Sequence, residues 1–274
     1  MRDLQAYRAI ALAAVDEAAE LFRTHIGAAP ALFKGEGDFA TEADLAIETL
    51  LRKRLTEATG IPVFGEEHGG DLNAEACWVL DPIDGTSNYS CGNPMCAILV
   101  ALLIDGQPVV AVTDMPLLGH RMHAISGEPV VLDGDPLPAL PQGVDPSTTA
   151  AQVGVATVGS DDRAAFPAEG RLAFVGELAA TSLRPRMTGS VGVDLAFVAS
   201  GVFQASVSFS PHVWDNAAGV LFGRCAGATV TDVYGQPWEM SSMGAVIGTN
   251  AAHATALATV QRCFESPDRQ SASR

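Results

Sequence analysis

The chain has 274 residues, 48% hydrophobic and 18% charged, with a mean hydropathy of +0.21, enough apolar material for one large domain or two modest ones and too much for an unfolded chain. Its 16 Lys and Arg stand against 32 Asp and Glu, a net charge of −16, which repels phosphate backbones and anionic lipid and speaks against nucleic acid or membrane as a partner. The five cysteines, Cys77, Cys91, Cys96, Cys225 and Cys263, form no CxxC pair, so the expectation is reduced thiols in a cytoplasmic protein and no zinc site.

Apolar residues recur at helical spacing from Leu4 to Phe22, with acids among them. This predicts an amphipathic helix and argues against a signal peptide or a membrane span. A loop, "GAAPALFKGEGD", follows. Thr41 opens a second helix to about residue 58, with Asp44 completing a capping box. Short strands are expected at 61–64 and 77–80. A meander is expected over 97–104, 108–115 and 121–125, with Asp105-Gly106 as its first hairpin signal and Asp133-Gly134 as the bend of one more. The proline-rich stretch 133–150 is the best linker candidate. Beyond it, strands near 152–157, 184–187, 204–209, 229–233 and 246–248 alternate with helices near 167–179, 191–199, 214–225 and 252–263. The first half is therefore expected to be α+β and the second α/β, with an N-terminal unit over 1–140, a C-terminal unit over 150–265 and a frayed tail over 266–274.

Three acidic patches stand out. In "WVLDPIDGTSNY", residues 78–89, Asp81 and Asp84 lie three apart at the end of an apolar strand. Asp-Pro suits a tight turn. A divalent cation is the alternative, because neighbouring carboxylates repel unless they share a proton or a metal. "VFGEEHGG" places Glu66 and Glu67 behind a short strand, where a solvated loop would also explain them. "HVWDNAAG" places Asp215 where a helix begins, a position that suits helix capping. Asp44, in "DFATEAD", is explained by capping alone.

Together and in this order, these segments resemble the inositol monophosphatase family, within the superfamily that includes fructose-1,6-bisphosphatase. "WVLDPIDGTSNY" matches the family's first signature and "WDNAAG" with the later "AGA" its second. "DFATEAD", "GEE" and "TGSVGVDLAFVASG" fall at matching intervals, and the texture is similar to the actinobacterial branch. The resemblance implies a layered αβαβα sandwich and a phosphate monoester hydrolase using two or three Mg²⁺ and no covalent intermediate. It assigns Glu66, Asp81, the Ile83 carbonyl, Asp84 and Asp215 to the metals. The attacking water, activated by the metals, falls to Glu66 and Thr86, with Asp44 supporting Thr86. Ile83, Asp84, Gly85, Thr86, Gly189, Ser190, Val191 and Asp215 fall to the substrate. It also implies a homodimer and sensitivity to Li⁺. Ser208 stands where many inositol-specific members carry a Glu that grips a ring hydroxyl, so a weaker grip on inositol is expected.

A haloacid-dehalogenase phosphatase would need D-x-D-x-T, and this chain has D-x-x-D. An EF-hand loop opening at Asp81 would need Glu at 92, which is Gly92. Within the family, inositol-1-monophosphatase is the leading expectation. A histidinol-phosphate phosphatase or a broader sugar and polyol phosphatase is the alternative, and a partner-binding scaffold on the same fold is the non-enzymatic one.

Overall fold

The structure, a computed structural model, describes residues 3–35, 38–158 and 165–264. The expected tail over 266–274 lies outside the described residues. Asp3 caps α1 (Leu4–Thr24) by accepting from the Ala6 amide, and Ala11, Ala14, Val15, Ala18, Ala19 and Phe22 form its buried stripe. The expected loop after α1 instead contains a hairpin, β1 (Pro30–Gly35) and β2 (Asp38–Thr41), with register shifts along it. No alternation announces it, because Leu32 and Phe33, adjacent in β1, are both exposed. Thr41 then caps α2 (Glu42–Thr59) through the expected box with Asp44, and Gly60, with φ of 68°, ends it.

Seven strands come next, in spatial order: β3 (Val63–Gly65), β4 (Ala76–Asp84), β5 (Ala97–Ile104), β6 (Gln107–Met115), β7 (His120–Ile125), β8 (Val131–Leu132) and β9 (Asp135–Pro136). β3 and β4 run parallel and the other neighbours antiparallel. The Asp-Gly signals hold: Asp105 and Asp133 take φ of 50° and 53°, each followed by a glycine of positive φ, as tight hairpin turns require. β4 is longer than expected and carries both Asp81 and Asp84. Its pairing to β5 breaks register between them, so the Asp-Pro step is a strand irregularity and not a terminal turn. A short helix, α3 (Thr86–Ser90), leaves that strand at once.

The second half supplies β10 (Gln152–Val155), α4 (Ala168–Ala179), β11 (Arg184–Arg186), α5 (Val191–Ala199), β12 (Ala205–Ser208), α6 (Val213–Cys225), β13 (Thr229–Thr231), β14 (Ala245–Gly248) and α7 (Asn250–Phe264). Its sheet is mixed, in the order β11-β10-β12-β14-β13.

The layers depend on which faces are apolar. In β5, Ile98, Val100 and Leu102 pack with α1 and α2 on one face, while Ala97, Leu99, Ala101 and Leu103 pack with α5 and α6 on the other. A strand buried on both faces needs a helical layer on each side. Fully burying one such side chain as Leu99 contributes about 1.5–3 kcal/mol before the entropy of ordering it. α4 and α7 cover the far face of the five-stranded sheet through Phe174, Leu178, Ala252 and Val260. The result is the αβαβα sandwich. The proline-rich stretch is tied down inside it, since buried Leu140 joins the central layer and its N–H donates to the Ala226 carbonyl at 2.9 Å.

Candidate active site

β4 delivers Asp81 and Asp84, and the first turn of α6 delivers Asp215. One carboxylate oxygen from each lies within 4.8 Å of the other two. Asp81 is 2% exposed, and its Oδ1 is buried with no hydrogen-bond partner among the described residues. Burial pushes its pKa well above the usual carboxylate range, reinforced by the charges of Glu66, Asp84, Asp215 and Asp44.

Asp84 is differently served. The Ser190 hydroxyl and the Gly192 N–H, at 2.6 Å, donate to Oδ2, and the Val191 N–H donates to Oδ1 at 3.2 Å. Burial and Asp215 raise its pKa to about 7 against those three donors. Position 192 must be glycine for this approach, because a Cβ there would lie 2.3 Å from the Leu99 side chain and 2.9 Å from Asp84 Oδ2. Ser190 and Val191 are thus brought to Asp84, although the chain reaches them a hundred residues later, while Gly189 packs beside Gly85 and Asn88.

Glu66 lies just beyond β3, and its carboxylate is met by a cation that sequence reasoning missed. Lys34, on β1, places Nζ 2.7 Å from Glu66 Oε1 and 2.6 Å from Glu67 Oε1. Burial raises the Glu66 pKa, partly offset by Lys34, with Asp215 and Glu67 adding to the rise, to about 7. Burial lowers and the two carboxylates raise the Lys34 pKa, and the carboxylates prevail. Lys34 belongs to a segment with the composition of a loop, and nothing in its own neighbourhood marks it.

The Glu67 side chain is 1% exposed, so it shares Lys34 with Glu66 and does not point to solvent. Glu67→Gln keeps an acceptor for Lys34 but removes one of the two negative charges that hold it. It should lower kcat/KM about tenfold, the lower end for a residue that orients a metal ligand. Glu66→Gln should cost more, and steady-state kinetics on the two variants side by side checks the order.

Ile83 is buried between the acids, and its carbonyl accepts the Thr86 hydroxyl at 2.9 Å. That hydroxyl also points to Asp44 Oδ1 at 3.3 Å, while Asp44 Oδ2 accepts from the Thr41 N–H and hydroxyl. Asp44 is therefore both a cap and a neighbour of Thr86. Gly85, with φ of 85°, sits where an added Cβ would crowd the Met95 and Gly189 carbonyls. Asn88, also unforeseen, donates to the Met95 and Thr188 carbonyls and staples α3 to the segment before Ser190. Ser208 does not behave as a substrate contact: it is 2% exposed, and its hydroxyl accepts from the Ser210 N–H.

A buried carboxylate oxygen without a donor among the described residues, inside an all-oxygen set, fits a hard divalent cation when the acids are ionised. Such ions take oxygen ligands and relieve like-charge crowding.

Comparison with known proteins gives the family. The model of the inositol monophosphatase family matches residues 3–265. The probable inositol 1-monophosphatase ImpA of Mycobacterium tuberculosis is 46% identical over 248 residues, 90% of this chain and 91% of that one. The inositol-1-monophosphatase ImpA of Mycolicibacterium smegmatis is 42% identical over 259 residues, 94% and 93% of the two chains. Among solved structures, the extragenic suppressor protein suhB of Bartonella henselae superposes with a TM-score of 0.83 at 22% identity, covering 94% of this chain and 99% of that one, which speaks for the fold alone. With a family model spanning nearly the whole chain, two relatives above 40% identity and the αβαβα layers in place, this chain belongs to the inositol monophosphatase family.

Proposed function

We propose that the chain hydrolyses phosphate monoesters in an Mg²⁺-dependent reaction, with inositol 1-phosphate as its preferred substrate. The observation that carries this reading is the convergence of Asp81, Asp84 and Asp215 around a buried oxygen of Asp81 that has no partner among the described residues. When bound, two or three Mg²⁺ ions would neutralise phosphate charge and favour attack by water at neutral pH. Asp81, Asp84, Asp215, Glu66 and the Ile83 carbonyl would hold them. A −16 protein thereby handles an anionic substrate.

The protein's own groups supply the rest. Thr86 has one hydroxyl proton, and both of its acceptors, the Ile83 carbonyl and Asp44, are protein atoms. Its oxygen can then only accept from a third partner, which suits a water molecule whose remaining lone pair must face phosphorus. Glu66 would take the other water proton, as the family resemblance implies. The amides that follow Gly85 suit the phosphate oxygens, and Gly189, Ser190 and Val191 line the alcohol side. Residues acting as one unit are non-additive. Thr86→Ala and Asp44→Asn should each lower kcat roughly 10²-fold, and the double variant should be no slower than the slower single one. Multiplying losses in kcat would leave Asp44 as a helix cap only.

Identity to the two inositol 1-monophosphatases supports inositol over histidinol phosphate. We infer in addition a Li⁺-sensitive homodimer in the cytoplasm, with its two halves divided at 140–150, on the strength of the family resemblance. No described helix is long and apolar enough to cross a membrane. The deciding experiment is kcat/KM for inositol 1-phosphate, histidinol phosphate and fructose 1,6-bisphosphate with saturating Mg²⁺. Inositol 1-phosphate should rank first, and a preference for histidinol phosphate would replace this reading.

A further inference from the structure

We propose that Glu48, with Arg52 one helical turn further along α2, is the positioning residue for Glu66. The proposal rests on the reading of Glu66 as a cation ligand.

β3 is three residues long and pairs with β4 alone, so little sheet holds the residues just beyond it. The Glu66 N–H still reaches the Leu80 carbonyl at 3.2 Å. The next two amides leave the sheet and need acceptors of their own. Both find the same carboxylate: the Glu67 N–H donates to Glu48 Oε2 at 2.7 Å and the His68 N–H to Oε1 at 3.1 Å. The His68 Nδ1 lies 3.1 Å from Oε1 as well. Glu48 is fully buried. Gly65 makes the approach possible, because a Cβ there would lie 2.2 Å from Glu48 Oε1.

Arg52 completes the clamp. Its Nη2 donates to Glu48 Oε1 at 2.9 Å and to the Gly69 carbonyl at 2.7 Å, while Nη1 donates to the Val63 carbonyl at 2.7 Å. One guanidinium fork therefore ties both ends of the turn that carries Glu66, and its charge balances Glu48 without a metal. The pair lies outside the Asp81, Asp84 and Asp215 group. It acts on the cation through the backbone of residues 65–69.

The test measures binding of Mg²⁺ alone by calorimetry on the full chain, beside melting temperature and kcat. Glu48→Gln keeps the volume and one acceptor oxygen but turns an N–H₂ toward one of the two amides, and Glu48→Ala removes both acceptors. Glu48→Ala should weaken Mg²⁺ binding about tenfold, as loss of a ligand-orienting group does, with Glu48→Gln in between and KM for inositol 1-phosphate at saturating Mg²⁺ within about twofold of wild type. Added to Glu66→Gln, either Glu48 variant should weaken binding by no more than about twofold further. If Glu48→Ala fails to fold, Glu48→Gln alone decides. A lowered melting temperature with unchanged Mg²⁺ affinity would make the clamp merely structural. Losses that multiply with those of Glu66→Gln would overturn it too. If Glu66→Gln itself leaves Mg²⁺ binding unchanged, the ligand reading of Glu66 falls and the proposal with it, a result distinct from the other two.

Discussion

Asp84→Asn should lower kcat/KM by roughly 10²–10³-fold, the cost of deleting one preorganised electrostatic partner, while the fold survives. Asparagine has the same shape, and its oxygen, set at the Oδ2 position, keeps the donors from Ser190 and Gly192. Its N–H₂ then opposes only the longer Val191 contact. What is lost is one negative charge from a group of three acids whose oxygens lie within 4.8 Å.

The same substitution should raise stability in chelator. The pKa values of Asp84 and Glu66 are both pushed up to about 7, from ordinary values of 3.8 and 4.5. Groups raised in this way contribute stability that is fully present below the unfolded values and lost as pH rises through the folded ones. In chelator, the wild type should therefore melt progressively lower from about pH 4 to about pH 8. Asp84→Asn, with one fewer buried charge, should fall less and melt higher than wild type at the alkaline end. Each 1 kcal/mol shifts Tm by about 2–4 °C at this size. Saturating Mg²⁺ should reverse the order. A variant that is equally active, or that melts lower than wild type in chelator at the alkaline end, would contradict the assignment.

The parts of the fold legible in sequence are those whose signal is local. Residues 97–104 read as a strand and 191–199 as a helix because length and flanking turn signals decide them, and Asp105-Gly106 and Asp133-Gly134 make the turns they announce. Thr41 and Asp44 announce their box for the same reason. Asp81, Asp84 and Asp215 are legible because the two signatures that carry them are specific.

The features that escape a sequence reading depend on partners distant along the chain. Lys34 lies 32 residues from Glu66, on a hairpin that leaves Leu32 and Phe33 exposed. Glu48 resembles any polar position of an amphipathic helix until the amides 19 and 20 residues away are in place. Ser190 meets Asp84 across 106 residues, and Asn88 meets Thr188 across 100. The family resemblance puts Ser208 at a ring-gripping position, but its burial in β12 is a tertiary property that the resemblance does not carry.

Buried Asp81 and Asp84 and half-buried Asp215 converge where a divalent cation would hold them together during catalysis. Without it, Lys34 on Glu66 and the three donors on Asp84 offset only part of the repulsion, Asp81 Oδ1 has no partner among the described residues, and a phosphate dianion would meet a largely acidic wall. The direct measurement of this central claim is phosphate release from inositol 1-phosphate after exhaustive chelation with EDTA, and then during titration with Mg²⁺. EDTA should abolish release, and millimolar Mg²⁺ should restore it in full. Undiminished phosphate release in EDTA would contradict the claim.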